Sequence, residues 1–133
     1  MIIFGASGDL TRRKLIPALY QLHRKQRLPE GFRVVGFSRT EYTHATWRDA
    51  LAESTAQLAG NRFDTRSWSE FAPVLHYVAG DLNRLDDLHS LQEFLDKDLD
   101  GCRGERVFYL ATAPRFYQSA IVNQLGNIWE RQR

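Results

Sequence analysis

The residues of this chain best suited to chemistry stand near its start, in the run Gly5-Ala-Ser-Gly-Asp-Leu-Thr-Arg-Arg-Lys-Leu15. Their types and spacing suit the binding of a phosphorylated nucleotide. Gly5 allows a sharp chain reversal that a side chain would forbid. Gly8 stands where a pyrophosphate would press on the backbone. A helix beginning near Asp9 would direct its free N–H groups and positive dipole end at the phosphates. The Ser7 hydroxyl adds a further donor. The third small residue of a dinucleotide fingerprint falls at position 11, where this chain has Thr. The plainer alternative is a loop-to-helix connection with a Gly-Asp N-cap.

The second chemical feature is Arg39, in Gly36-Phe-Ser-Arg39-Thr40. In an NAD-type site an acidic residue ending the second strand holds the ribose 2′-hydroxyl. Here a guanidinium occupies that end, and its planar fork suits a bidentate grip on a 2′-phosphate. Taken alone, Arg39 reads equally well as a solvated arginine at a strand end. Glu41, two residues further out, is the NAD-type competitor. Together with the glycine turn, Arg39 favours NADP.

These groups need elements to hold them. Met1–Phe4 reads as a strand, and a helix is expected from about Asp9 to Lys25 with Leu15, Leu19 and Leu22 on one face. Leu28-Pro-Glu-Gly31 breaks it, and Arg33–Phe37 forms the second strand. A second helix covers about Trp47–Ala59, with Thr46 and Asp49 as a capping-box-like start and Gly60 as its stop. Ser67–Phe71 suits one further helical turn. Leu75–Ala79 is the third strand, followed by Gly80-Asp-Leu82, and Leu85, Leu88, Leu91 and Leu95 mark the next helix. Arg106–Ala111 is the fourth strand, and Tyr117, Ile121, Leu125 and Ile128 line a last helix. Strands alternating with helices predict an α/β fold: a Rossmann-like, doubly wound parallel sheet in the order 3-2-1-4, with helices on both faces. Ligands bind such sheets where the order reverses, outside the C-terminal strand ends. Residues 5–12, 38–40, 80–82 and 112–117 should therefore share one rim.

Bulk properties narrow the class. At 133 residues the chain is one domain or part of one. A net charge of +2 is too small to imply a nucleic-acid partner. Cys102 is the single cysteine, which excludes internal disulfides and suits a reducing compartment. No apolar run approaches the roughly 18–20 residues that cross a membrane, so a cytoplasmic protein is expected. His23, His44, His76 and His89 all fall away from the predicted rim and read as structural or solvated. Asp96–Gly101 imitates the start of a calcium loop, but its twelfth position is Val107 where a bidentate Glu is needed, so no metal is expected. Trp47, Trp68 and Trp129 read as packing residues.

Gly5–Leu19 closely resembles the nucleotide-binding turn and first helix of the glucose-6-phosphate dehydrogenase family. Val34-Val-Gly-Phe-Ser-Arg39 is similar to that family's second strand with its 2′-phosphate arginine. Gly80-Asp-Leu82 resembles the turn after its third strand, and Arg106–Pro114 with Phe116-Tyr117 resembles its fourth strand and following loop. The resemblance covers essentially the whole chain. It implies that Gly5, Ala6, Ser7, Gly8, Asp9, Leu10, Thr11 and Arg12 cradle a pyrophosphate and that Arg39 holds the 2′-phosphate of NADP. It implies further that Asp81, Leu82 and Tyr117 border the adenosine and ribose, and that Lys14 reaches towards substrate. The implied reaction moves hydride from C1 of glucose 6-phosphate to NADP, giving 6-phosphogluconolactone and NADPH. The family continues into a strand ending in Glu-Lys-Pro-Phe-Gly or a close variant. A large α+β domain follows, with the catalytic histidines and the homo-oligomer interface. Residues 1–133 are thus expected to be an incomplete N-terminal NADP-binding domain, without catalytic residues of its own and inactive alone. Two other readings stay open. One is an atypical short-chain NADP reductase, against which stand Thr11 and the lack of a Tyr-x-x-x-Lys pair, since Ala113 and Ile121 follow Tyr109 and Tyr117 at that spacing. The other is a non-catalytic nucleotide-binding or interaction module using strand 4 as an open edge.

Overall fold

Short apolar runs and longer amphipathic ones alternate along the chain, and the structure alternates with them. The computed structural model describes residues 1–97 and 108–110. In chain order the elements are β1 (Ile2–Phe4), α1 (residues 9–24), β2 (Val34–Ser38), α2 (His44–Ala59), α3 (Thr65–Phe71), β3 (Leu75–Ala79), α4 (Leu85–Lys97) and β4 (Phe108–Leu110). The four strands pair in the order β3-β2-β1-β4, every pair parallel. This is the order expected from the sequence, and β1 and β4 are the neighbours at which the connections diverge.

Alternate strand residues face opposite sides of the sheet. Ile3, Val34, Leu75 and Tyr77 pack with Ile16, Leu19 and Tyr20 of α1, Trp47 and Leu51 of α2, and Trp68 and Phe71 of α3. Ile2, Phe4, Val35 and Phe37 pack with Leu88, Leu91 and Leu95 of α4. Helices thus cover both faces. Burial on both sides explains why β1 and the start of β2 read as unbroken apolar runs rather than alternating ones.

The structure shifts several sequence expectations. In α1 the buried face is Ile16, Leu19 and Tyr20, while Leu15 lies at its margin and Leu22 is 38% exposed. Tyr20 takes the centre because its ring is the larger apolar group and its hydroxyl has a partner. That hydroxyl donates to the Asp64 carbonyl and accepts from the Asp64 N–H, each at 3.1 Å. The turn Thr11–Leu15 is π-type, and the Ile16 N–H reaches the Thr11 carbonyl. Pro17 supplies the cause: it has no N–H, and its ring crowds the carbonyl four residues back, which a locally widened helix relieves.

Helix α2 begins at His44, not Trp47, because Thr43 is its N-cap. The Thr43 hydroxyl accepts from the Thr46 N–H at 3.1 Å, and the Thr43 N–H donates to the Thr46 hydroxyl at 2.8 Å. Thr46 therefore fills the third helical position of the capping box that was expected to begin with it. Gly60 ends the helix, with φ +55°. The expected extra turn at Ser67–Phe71 is a full helix from Thr65, capped by Asp64. β2 runs one residue later than expected at each end.

The longer α2 covers the outer edge of β3. The Tyr77 N–H donates to His44 Nδ1 at 2.8 Å, and Arg48 Nε donates to the Leu75 carbonyl at 2.7 Å. Two groups that could recruit another strand are thereby occupied. His44 is structural, as expected. The predicted last helix, the 112–117 loop, Cys102 and Trp129 lie outside the described residues. Among the described residues no helix is long and apolar enough to cross a membrane.

Candidate functional site

The glycine turn leaves β1 with Gly5 at φ +82°, a conformation that disfavours any side chain. The N–H groups of Gly5 and Ala6 both donate to the Phe37 carbonyl, at 3.0 and 3.4 Å, and the Gly8 N–H donates to the Gly5 carbonyl at 3.0 Å. The turn is therefore sewn to the end of β2. Thr11, the departure from the fingerprint, is fully buried, and its hydroxyl donates to the Gly5 carbonyl at 3.4 Å. A polar side chain fits here because the turn offers it an acceptor.

These bonds sort the donors. Gly5, Ala6 and Gly8 use their N–H groups inside the fold, whereas those of Ser7, Asp9 and Leu10 make no hydrogen bond to another described residue. They stand at the positive end of α1, where an anion is favoured. The Asp9 carboxylate pairs closely with the Arg12 guanidinium and lies 4.0 Å from Arg13 Nε. All three side chains are exposed, so the pairing contributes little stability. Its effect is to draw Arg12 back along the helix. Lys14 is exposed and makes no ion pair among the described residues.

Sequence reasoning missed Gly36. A Cβ there would stand 2.7 Å from Ala6 Cβ and 2.8 Å from Cη2 and Cζ2 of Trp47. The missing side chain lets the glycine turn and α2 sit down on β2. The signal available was a glycine inside an apolar strand, which marks a close approach.

The end of β2 is fastened on two sides. Thr40 Oγ1 donates to Ser7 Oγ at 3.0 Å, linking it to the glycine turn. The buried Tyr77 hydroxyl donates to the Thr40 carbonyl at 2.6 Å and bonds closely with the Ser38 hydroxyl. Burial pushes the Tyr77 phenol above its usual range, partly opposed by the Ser38 bond. Between these fixed neighbours Arg39 is exposed and makes no hydrogen bond or ion pair among the described residues. Glu41 is exposed as well.

After β3 the Gly80 N–H donates to the Ser38 carbonyl at 2.8 Å, bringing residues 80–82 beside 38–40. The Asp81 carboxylate accepts from the Asn83 N–H, and its own N–H donates to Asp87, both at 2.9 Å. Asp81 thus shapes its own turn. Leu82 is half-buried with Val78 and Phe94 against the α4 side of the core. Three of the four predicted rim segments come together, while the fourth, with Tyr117, lies outside the described residues. An open cleft of about 260 Å³ adjoins the turn, lined by Ser7, Arg12, Tyr42, Trp47 and Glu53 among others. It lies between the turn and α2, and none of Arg39, Asp81 or Leu82 lines it. Among the described residues no three His, Cys, Asp or Glu side chains are grouped as metal ligands would be.

The sequence profile of the family "Glucose-6-phosphate dehydrogenase, NAD binding domain" matches residues 2–132. The chain is 38% identical over 126 residues to glucose-6-phosphate 1-dehydrogenase of Chlamydia pneumoniae, covering 92% of this chain and 24% of that protein. It is 31% identical over 124 residues to the enzyme of Schizosaccharomyces pombe, covering 92% and 25%. The solved glucose-6-phosphate 1-dehydrogenase from Mycobacterium avium superposes with a TM-score of 0.81 at 27% identity, over 96% of this chain and 26% of that one. A glucose-6-phosphate dehydrogenase solved in complex with its substrate glucose-6-phosphate superposes with TM-score 0.81 at 25% identity, over 95% and 26%. The chain spans about a quarter of the length of these relatives.

Proposed function

From a chain that belongs to the glucose-6-phosphate dehydrogenase NAD-binding-domain family, we propose the cofactor-holding part of a dehydrogenase that oxidises glucose 6-phosphate to 6-phosphogluconolactone. The family comprises oxidoreductases acting on CH–OH groups, and it uses NADP. NADP, when bound, supplies the hydride acceptor. This chain's part is to grip and orient it.

The local structure fits such a cofactor. The N–H groups of Ser7, Asp9 and Leu10, which make no hydrogen bond to another described residue, and the Ser7 hydroxyl would meet an anion at the head of α1, and Gly8 keeps the approach clear of a side chain. Of residues 5–12, Gly5, Ala6 and Thr11 act by holding the turn, and Arg12 adds positive charge beside Asp9. Arg39 takes the 2′-phosphate. Asp81 and Leu82 wall the adenosine side, and the family resemblance gives Tyr117 the same role. Lys14, one helical turn beyond the phosphate loop, reaches to the sugar phosphate. Residues 1–133 constitute N-terminal dinucleotide-binding sequence, while substrate oxidation and homo-oligomer assembly draw on the remainder of the enzyme. A single cysteine and a soluble metabolite as substrate suit the cytoplasm.

The observation that carries this reading is Arg39. It is an exposed guanidinium with no partner among the described residues, at the end of β2, and Thr40 is tethered to the glycine turn. The test is titration of the chain with NADP and with NAD, repeated on Arg39→Ala. NADP should bind more tightly. The variant should lose roughly 10- to 100-fold in NADP affinity, as for a charged hydrogen bond of about 1.5–3 kcal/mol, with NAD little changed. Equal affinities in the parent chain, or an unchanged preference in the variant, would refute it.

A further inference from the structure

Arg39 carries the preference for a 2′-phosphate in the reading above, yet nothing in its own side chain fixes where it stands. Its two neighbours are fixed, and by one atom. The Tyr77 hydroxyl, on the third strand, donates to the Thr40 carbonyl at 2.6 Å, and the Ser38 hydroxyl bonds closely to the same oxygen. One phenol therefore pins the residue before Arg39 and the residue after it. Tyr77 is itself held. It is buried at 4% exposure, its ring packs edge-on against Tyr42 and beside Trp47, and its N–H is bonded to His44. Thr40, on the other side, reaches Ser7 of the phosphate turn.

We infer that Tyr77 is a positioning residue for 2′-phosphate selectivity, setting the distance between the Arg39 guanidinium and the phosphate turn. This rests on the NADP reading and deepens it. A planar guanidinium discriminates by geometry as well as charge. A loop free to drift would keep the charge and lose the two-point fit. Phenylalanine at position 77 keeps the ring packing and removes the clamp.

The probes are adenosine 2′,5′-bisphosphate and adenosine 5′-monophosphate, which differ only in the 2′-phosphate. Affinities for both are measured on the full 133-residue chain and on Tyr77→Phe, Arg39→Ala and the double variant. Tyr77→Phe should lower the preference for the bisphosphate by about three- to ten-fold, the scale of one lost hydrogen bond. Binding of the monophosphate should change less than two-fold. In the Arg39→Ala background the Tyr77 change should have no further effect on the preference. A tyrosine that merely stabilises the fold would weaken both ligands alike, and that result overturns the inference. So does an unchanged preference in Tyr77→Phe when Arg39→Ala abolishes it. If Arg39→Ala itself leaves the preference intact, the NADP reading falls and this inference falls with it. Should Tyr77→Phe not fold, Ser38→Ala removes one arm of the same clamp. It should lower the preference in the same direction, and no change there counts against the inference equally.

Discussion

Replacing Gly36 by alanine should test how tightly the phosphate turn is seated. The added Cβ would lie 2.7 Å from Ala6 Cβ and 2.8 Å from two ring carbons of Trp47. Carbon atoms at rest sit at about 3.5–4.0 Å, so each contact is short by roughly 0.7 Å or more. Neither neighbour can yield cheaply. Ala6 Cβ is fixed to a backbone whose N–H is bonded to Phe37, and Trp47 is 1% exposed with its ring against Tyr77. Overpacking of this kind costs about 1–3 kcal/mol. Loss of glycine's freedom in the unfolded chain offsets about 0.4–1 kcal/mol. A net loss of about 1–2 kcal/mol remains, which for a domain of this size lowers Tm by roughly 4–8 °C. Thermal and urea denaturation of the two proteins would measure it, and NADP affinity should fall in parallel because Ala6 is displaced with the turn. Ala6→Gly separates crowding from other causes. Alone it removes a buried methyl and adds chain entropy, costing about 1–2 kcal/mol. Combined with Gly36→Ala it removes one of the overlaps, so the double variant should lose at least about 0.5 kcal/mol less than the sum of the singles. Strict additivity, or a Gly36→Ala protein as stable as the parent, would refute the steric account.

Thr43→Ala breaks both halves of the capping box at the start of α2 and should lower stability by about 1 kcal/mol in chemical denaturation. Because the same helix end supplies His44 and Arg48 to the edge of β3, amide exchange at Tyr77 should quicken along with that in the first helical turn. Asp64 predicts the acid limb of stability. Its hydrogen bonds, first to the Ser67 side chain and then to the Ser67 N–H, hold its carboxyl below the usual value of 3.8. A depressed native pKa contributes stability that is present above pH 3.8 and is lost as pH falls through the lower native value. Denaturation midpoints followed downward from pH 5 should fall less steeply in Asp64→Asn than in the parent.

Architecture was legible in the sequence because it depends on patterns that repeat. Strands β1 to β3 stand out as apolar runs, the leucines of α4 recur at helical spacing, and alternation of the two forces a parallel sheet. Boundaries were less legible, for reasons that can be named. Thr43 and Thr46 are both competent caps. The choice between them depends on where His44 and Arg48 must fall to reach β3, which is a long-range fact. Leucine spacing alone points to Leu15, Leu19 and Leu22 as the face of α1, whereas Tyr20 wins the centre through a hydroxyl whose partner, Asp64, is 44 residues away. The turn at Thr11–Leu15 had a local signal in Pro17. At the candidate site, the turn at Gly5 and the place of Arg39 at the end of β2 are legible from residue type and position. Gly36 and Tyr77 are not, since their parts come only from what packs against them.

The rim sorts its polar groups into two sets, and the division is informative about function. Thr11, Thr40, Tyr77 and Asp81 each direct their polar atoms to backbone or side chains of the rim itself. In contrast, the N–H groups of Ser7, Asp9 and Leu10 and the side chains of Arg39 and Lys14 have no such partner among the described residues. These five are donors or cations, and an exposed carboxylate, Glu41, lies two residues beyond Arg39. A cluster of open donors and cations is complementary to an anion with several acceptor oxygens. The set is divided between the head of α1 and the end of β2, which Thr40 ties to Ser7, so on the proposed reading it would serve separate phosphates rather than one. A ligand with a single phosphate would leave one end of this set unused. On that reading NAD would use the helix end and leave Arg39 idle, whereas NADP would engage both.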